Sequence, residues 1–324
     1  SGQGIGIQGW VGSDVALAGT LEANAKSESG KATGLWSWDS GSINVSGDAV
    51  INAVSASGDA IGINSNDNSG TAGGDASLTQ IGGKAEINVS AGGEAKGITA
   101  FENGNVAIKG GTKITAVSSN NTATGIESSG GSSVVVNGLA EIMAQSKTGE
   151  AVGINGTMTL DAAKIFVDAK GEGTGIRNWS GANVTFKEAA QIIVDADGDN
   201  AKGIYGWNGS QVNFAGDAAI KIGGIEGSDK SAYFVRAITA MQNSSVNIGG
   251  NAVFELAGAD TIGLDVSDNS KVAVDGNYAV SAKATTGEAK GMGINKSDVQ
   301  VGGDYVLQAE SASTVKGMYV NNSQ

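Results

Sequence analysis

The chain has 324 residues and a formal net charge of −13, with no proline, cysteine or histidine. This composition excludes disulfides, Ser-His-Asp and Cys-His catalysis, and the usual ligands of zinc and redox metals, so we expect no cofactor. The acidic balance argues against nucleic acid and anionic lipid as partners, and no run reaches the 18 apolar residues of a membrane span, so we expect no membrane insertion by this segment.

A glycine followed by Ile, Leu or Met returns about every 28 residues along the whole chain, and an alanine replaces the glycine once. The intervals are 28, 28, 35, 28, 28, 22, 28, 34, 26, 28 and 26 residues. Such a period is typical of repeat proteins, in which no unit buries its apolar face alone. We call these positions the anchors: Gly6, Gly34, Gly62, Gly97, Gly125, Gly153, Gly175, Gly203, Ala237, Gly263, Gly291 and Gly317.

Each repeat contains three short runs of alternating apolar and polar residues, separated by Gly, Ser, Asn and Asp. In the repeat that starts at Gly34 these runs begin at Gly34, Ile43 and Ala49. Alternation with a period of two predicts strands, and a chain without proline suits a ladder in which nearly every N–H is bonded. The sequence therefore predicts an all-β fold, a right-handed parallel β-helix (β-solenoid) of about 12 coils of roughly 28 residues, with three short strands per coil. A propeller or a tandem sandwich would need longer units.

Aromatic residues recur four residues after the anchors, where alternation places side chains opposite to the inward aliphatic column. Four of the five tryptophans fall on this column. An exposed row of indoles is a candidate platform for sugar rings or for a partner protein. The alternative is that the rings pack against one another at a corner. The candidate binding stripe consists of Trp10, Trp38, Phe101, Trp179, Trp207 and Met241.

Three repeats depart from the period of about 28 residues. The 35-residue interval gains length over residues 67–74, and the 22-residue interval loses a turn near Asn155. The 34-residue interval gains length before its anchor, where aromatic and charged side chains occur together. Insertions in a solenoid emerge as loops and often bind ligands, although neutral drift in length is the alternative. The candidate binding loop contains Asp229, Lys230, Tyr233, Phe234 and Arg236.

Asp195, Asp197 and Asp199 alternate like the opening of a calcium loop. The sixth position is Asn200 where the motif has glycine, and the twelfth is Gly206 where it has glutamate. This segment is a weak calcium candidate, and a solvated corner is the alternative. We otherwise predict no metal site.

One repeat runs Gly125-Ile126, a turn over 129–132, Val134-Val135-Val136, Gly138, and an alternating run over 140–144. This pattern resembles the β-helical passengers of bacterial type V secretion, that is, autotransporters and filamentous-haemagglutinin-like adhesins. The resemblance covers essentially the whole chain. It implies a secreted virulence protein at the outer-membrane surface of a Gram-negative-type bacterium. We expect residues 1–324 to form a single continuous β-solenoid that is part of a longer repeat chain.

The first functional hypothesis is a non-enzymatic extracellular stalk that presents contacts to host cells, glycans or neighbouring bacteria. Its partners would be a cell-surface receptor, a glycan, or other copies of the chain. One alternative is a filament subunit that stacks end to end in self-assembly. A second alternative is a β-helix enzyme that degrades polysaccharides, which would require clustered carboxylates with Arg, Lys or calcium.

Overall fold

The computed structural model describes residues 2–67 and 76–322. They form an all-β parallel solenoid of about 11 turns of about 28 residues, and none of them is helical. The predicted fold class is thereby confirmed. The chain divides into two compact units, Ser1–Gly149 with Ile154–Ala162 and Glu150–Gly153 with Ala163–Gln324. A single continuous solenoid stays a prediction, and each unit is described separately below.

The strands of unit 1 follow one another in the same order in every turn, as a first, a second and a third strand. In chain order they are β1 (Gly4–Trp10), β2 (Asp14–Leu17), β3 (Leu21–Ser27), β4 (Ala32–Trp38), β5 (Ser42–Val45), β6 (Ala49–Ser55), β7 (Ala60–Asn66), β8 (Leu78–Ile81), β9 (Ala85–Ala91), β10 (Ala95–Phe101), β11 (Asn105–Ile108), β12 (Thr112–Ser118), β13 (Ala123–Ser128) and β14 (Ser133–Ser146). Two further strands, β15 (Ala151–Asn155) and β16 (Met158–Ala169), have residues in both units.

Unit 2 repeats the same order of strands. Its strands are β17 (Gly173–Trp179), β18 (Asn183–Phe186), β19 (Ala190–Ala196), β20 (Asn200–Trp207), β21 (Gln211–Phe214), β22 (Ala218–Ile222), β23 (Phe234–Met241), β24 (Ser245–Ile248), β25 (Ala252–Gly258), β26 (Asp260–Ser267), β27 (Lys271–Val274), β28 (Tyr278–Ala284), β29 (Glu288–Asn295), β30 (Asp298–Val301), β31 (Tyr305–Ser311) and β32 (Thr314–Asn321).

Each strand pairs in parallel with its counterpart in the next turn. In unit 1 the first strands pair in the order β1, β4, β7, β10, β13, and in unit 2 in the order β17, β20, β23, β26, β29, β32. Second and third strands pair by the same rule. In β14 the second and third strands join into one, because Gly138 takes a φ of 78° and turns the chain without ending the strand.

The corners explain the exclusion of proline, because their N–H groups bond from one turn to the next. Gly83 N donates to Gly47 O and Gly110 N donates to Gly83 O, both at 2.9 Å. Proline has no N–H to donate at such positions. After β4, Asp39 and Ser40 both have positive φ and Gly41 N donates to Trp38 O, which closes a tight turn.

The core lies between the three strand layers and is built from columns of inward side chains. In unit 1 these are mostly Ile, Val, Leu and Ala, such as Leu35, Ile43 and Ile51. In unit 2, Phe186 and Phe214 stack with ring centroids 4.7 Å apart and an interplanar angle of 11°. Identical residues in register therefore pack directly on one another. Columns of such contacts fill the space between the short strands.

At every anchor from Gly34 to Gly291 both the anchor residue and the aliphatic residue after it are buried, so the alternation of sides breaks there. A Cβ on Gly34 would lie 2.6 Å from Gly62 O and would also overlap the Cγ2 methyl of Ile51 on the third strand. The anchors are therefore glycine because the first strand approaches both the third strand and the next turn too closely for a side chain.

Candidate binding surface

The stripe residues lie on the solvent side of the first strands, which we call the outer face. Trp10 pairs in register with Trp38 in unit 1, and Trp179, Trp207 and Met241 follow one another across three adjacent strands in unit 2. Trp10 and Trp179 are 47% and 42% exposed, and the other stripe residues are half-buried. The outward direction that the alternation predicts is thus present, whereas ligand binding by the stripe stays a prediction.

In unit 1 the stripe is part of a cluster of three indoles. The ring centroid of Trp10 lies 4.2 Å from that of Trp38 and 6.0 Å from that of Trp36, at interplanar angles of 61° and 69°. The rings pack against each other beside the corner at Asp39. The cluster is therefore exposed at Trp10 and is also packed at a corner, as the alternative interpretation predicts. The stripe pattern missed Trp36, which lies two residues after its anchor. The same alternation places that position outside and could have found it.

Polar atoms near these indoles lack partners. The side-chain atoms Gln8 Nε2, Thr33 Oγ1 and Trp36 Nε1 are all buried and have no hydrogen-bond partner within the described part of the chain. Buried polar atoms are nearly always satisfied in folded proteins, by protein groups or by ordered molecules. Three such atoms on one face, beside an exposed indole, make this part of unit 1 a candidate site for a neutral polar ligand.

Phe101, the remaining stripe residue of unit 1, lies at a pocket of about 180 Å³. Asn66 also lines the pocket and its Oδ1 is buried without a partner among the described residues. Burial alone would lower the pKa of Lys96, but the carboxylates of Glu127 and Glu94, at 3.0 and 3.3 Å, outweigh burial and raise it. The pocket is lined by Lys31, Asp59, Ile61, Asn64, Asn66, Glu94, Lys96 and Phe101.

In unit 2 the stripe forms a second aromatic cluster that includes a tyrosine. The ring centroids of Trp179 and Trp207 lie 5.7 Å apart at 82°, and those of Trp179 and Tyr205 lie 6.0 Å apart at 88°. Tyr205 follows its anchor by two residues, as Trp36 does in unit 1. The outer face is therefore formed by the residues two and four after each anchor together with the residue immediately before it.

Cationic side chains accompany the aromatic rings of unit 2. The Arg177 guanidinium lies 5.7 Å from the Trp179 ring centroid and donates to Glu150 at 2.7 Å. The Lys202 ammonium lies 4.2 Å from the Tyr205 ring centroid. Both contacts lie within the range of cation–π attraction. Neither Arg177 nor Lys202 was predictable as a site residue, because a single charged residue on a strand forms no recognisable motif.

Arg236, a residue of the candidate binding loop, lies on the same outer face. Its Nη1 donates to Asp260 Oδ1 at 2.8 Å, and its Nε lies 3.6 Å from Asp265 Oδ2. Burial raises the pKa of the Asp265 carboxyl, and the Arg236 charge opposes that shift. Burial also lowers the pKa of Lys202, while Glu172 opposes the shift. The face is thus a mixed network of partly desolvated charges.

The candidate binding loop of the 34-residue interval divides between two surfaces. Tyr233 and Phe234 pack edge to face with centroids 4.6 Å apart, and the Arg236 guanidinium lies 5.3 Å from the Phe234 ring. Lys230 instead forms an ion pair with Asp168 on a third strand. The charge of Asp229 acts on Lys170, on that same side. The aromatic and guanidinium groups do lie together, but Lys230 and Asp229 are not part of that group, because the loop folds back across the turn.

The calcium candidate is not assembled in the structure. Asp197 pairs with Lys170, and the backbone carbonyl of Asp199 accepts a hydrogen bond from Phe234 N at 2.8 Å. Asp195 is buried on the strand before them. No group of three acidic side chains that could hold a metal ion occurs in residues 2–67 and 76–322.

Of the other two irregular repeats, the longer is described only in part and the shorter completely. Apart from Asp67, the predicted insertion over residues 67–74 lies outside the described residues. The shortened repeat has lost the turn between its first and second strands, as expected, because β15 ends at Asn155 and β16 begins at Met158. In the part of the chain that the structure covers, no helix is long and apolar enough to cross a bilayer.

Taken by its chemistry, the outer face offers stacking surfaces with hydrogen-bonding groups beside them in each unit. Sugar rings are recognised by this combination, because one side of a pyranose is apolar and its rim is polar. Comparison with protein-family models, with curated proteins and with solved structures found no match.

Proposed function

We propose that the protein is a non-enzymatic, extracellular adhesive β-solenoid of the bacterial surface, and that the outer face binds glycan chains of host cells or neighbouring bacteria. The observation that carries the proposal is the pair of outward aromatic clusters, Trp10 with Trp38 and Trp179 with Trp207. Contiguous exposed apolar patches with polar residues around them mark sites of contact with partners or ligands.

The spacing of the rings supports a chain-like ligand. Strands of one sheet lie about 4.8 Å apart, so rings in successive turns are spaced at roughly the length of one sugar residue. Edge-to-face contacts such as the one at 82° between Trp179 and Trp207 hold each ring in place. A rigid platform loses little conformational entropy on binding, which favours adhesion by many weak contacts.

The test is binding of the purified chain to immobilised glycans and to cells, compared with the double variants Trp10→Ala/Trp38→Ala and Trp179→Ala/Trp207→Ala. Each pair lies outside the core, so we expect both variants to fold and to lose most of the binding to the glycans their cluster contacts. Val253→Ala is the matched control, since this exposed apolar residue lies on a third strand. Wild-type binding by both double variants would contradict the proposal.

The same experiment separates adhesion from the enzymatic alternative. An adhesin leaves the glycan chain intact, whereas a polysaccharide-degrading enzyme shortens it. Product sizes after prolonged incubation with the bound polysaccharides therefore decide between the two. Appearance of shorter fragments with wild-type protein would replace the proposal by the enzyme.

A further inference from the structure

Three side chains that can donate hydrogen bonds lie next to Tyr205 on the first strands of unit 2. Arg177 and Thr239 are its register partners on the two adjacent first strands, β17 and β23. Lys202 precedes it by three residues on β20, and its ammonium lies 4.2 Å from the ring centroid. The adjoining Trp179 and Trp207 rings extend the same surface.

Two of these side chains have a polar atom without a hydrogen-bond partner among the described residues. Arg177 donates to Glu150 through Nη1, but its Nε is buried and has no partner among the described residues. Thr239 is 4% exposed, and its Oγ1 is likewise buried without a partner there. A buried donor without an acceptor is unfavourable, so a site that retains two of them on one face is suited to an acceptor from outside.

Lys202 lacks a carboxylate at ion-pair distance within the described residues, unlike the other cations of this face. Glu172, whose charge acts on it, accepts a hydrogen bond from Asn200 at 2.8 Å. The neighbouring strand places Arg236 in register with Lys202, which adds a second positive charge. Partial burial beside a like charge disfavours the ammonium unless an anion joins it.

The surroundings of the indole cluster of unit 1 differ in charge. Beside Trp10 and Trp38 the unpartnered buried atoms belong to the neutral side chains Gln8, Thr33 and Trp36. The only two arginines of the chain, Arg177 and Arg236, both lie on the outer face of unit 2. The two aromatic surfaces therefore differ in the ligand chemistry that they match.

We propose that the site formed by Arg177, Lys202 and Thr239 around Tyr205 binds a carboxylate or sulfate group of an acidic sugar, whose ring packs on Trp179 and Trp207. This inference rests on the proposed function and assigns its ligand class in unit 2. Charge-assisted hydrogen bonds from guanidinium and ammonium are the strong contacts available to such a group. Because the whole chain carries a net charge of −13, the site favours a sugar with an isolated anion over a densely charged polymer.

The test is calorimetric titration of the full chain with three probes: a glucuronic-acid disaccharide, the methyl ester of the same disaccharide, and a sulfated neutral disaccharide. The ester keeps the ring and removes the charge. We expect the acid to bind about tenfold more tightly than its ester, as one charge-assisted contact implies. The sulfated probe distinguishes the two sources of negative charge.

Variants assign the preference to the site. Lys202→Met should reduce the affinity for the acid about tenfold and leave that for the ester unchanged. Lys221→Met is the matched control, because Lys221 lies on a third strand and pairs with Glu255 at 3.3 Å. Circular dichroism and melting curves identify any variant that fails to fold, in which case Thr239→Val replaces it as the probe of the site.

The outcomes separate the two proposals. Equal binding of acid and ester would overturn the anionic site and leave glycan adhesion standing. A preference that survives in Lys202→Met and Thr239→Val would also overturn the site. Failure of all three probes, together with no binding to any immobilised glycan, would overturn both proposals.

Discussion

A side chain on Gly203 would collide with Ile220: an added Cβ would lie 2.5 Å from the Cγ2 methyl of Ile220 and 2.6 Å from the carbonyl oxygen of Ala237. One turn later, by register, the equivalent positions hold Ala237 and Phe254. Phenylalanine is not branched at Cβ and has no such methyl. The one anchor that is alanine therefore faces a third-strand position that holds no residue branched at Cβ.

This contact predicts how an anchor responds to substitution. Gly203→Ala should lower the free energy of unfolding by about 1–3 kcal/mol, because the core there has no room for a methyl group. Ile220→Leu alone should cost less than about 1.5 kcal/mol. The double variant should recover part of the loss, with a coupling of about 1 kcal/mol in urea unfolding. Strict additivity of the two single changes would contradict the steric explanation.

A buried serine at the corner after the third strand joins two turns. Ser55 Oγ donates to Gly30 O at 2.7 Å and accepts from Gly58 N at 3.0 Å. Ser55→Ala would leave both backbone groups without these partners, so we expect a loss of about 1–3 kcal/mol in the free energy of unfolding.

The matched control for the serine is Ser57→Ala. Ser57 is exposed on the same corner and donates to Glu28 O at 3.0 Å. Its hydroxyl exchanges with water readily, so the change should stay within about 0.5 kcal/mol. Equal losses in the two variants would show that burial of the bond is not what matters.

Asparagine and aspartate form a ladder at the corner before the third strand of unit 2. Asn251 N donates to Asp217 Oδ1 at 2.7 Å, and Asn251 Oδ1 accepts from Asn277 N at 2.9 Å. Asn251→Ala removes the acceptor and should cost about 1–2 kcal/mol in urea unfolding. Asn251→Asp keeps an acceptor but sets a carboxylate beside Asp217. Its cost should therefore fall as salt is added, whereas that of Asn251→Ala should not.

Much of this fold was predictable because each requirement on residue size and on side-chain direction recurs at the same position in every turn. The close approach at the anchors allows only a very small residue there, and the first strands begin before an anchor and continue past it, as at Gly34. The outward direction of Trp10 and Trp179 followed from alternation alone. Joining of the second and third strands in β14 did not, since a glycine such as Gly138 equally predicts the end of a strand.

The candidate site was predictable only in part. The regular column revealed the tryptophans, but the break in alternation at the anchor also brings the residue before it onto the outer face. Lys202 occupies that position and lies over Tyr205. A contact of this kind depends on the bend of the strand, which a repeat period does not contain. The pairing of Lys230 with Asp168 spans 62 residues and depends on how the loop folds.

The carboxylate of Glu288 makes a pH-dependent contribution to the stability of unit 2. It pairs with Lys290 and accepts from Lys316 Nζ at 2.7 Å, and these hydrogen bonds hold its pKa at about 2, below the usual value of 4.5. Because the folded pKa is the lower one, the stabilisation is present above about pH 4.5 and is lost as the pH falls toward 2. The pair lies at the surface, so it contributes at most about 1 kcal/mol.

Glu288→Gln isolates this contribution. The difference in the free energy of unfolding between wild type and variant should be largest above pH 4.5 and should shrink to nothing near pH 2, as measured by urea unfolding at a series of pH values. Lys316→Met, which removes one partner, should reduce the same pH-dependent difference without abolishing it, because Lys290 remains. Added salt should reduce it as well, since the charges are exposed to solvent. A difference that stays constant from pH 6 to pH 2 would show that the two lysines do not hold the Glu288 carboxylate in its charged form.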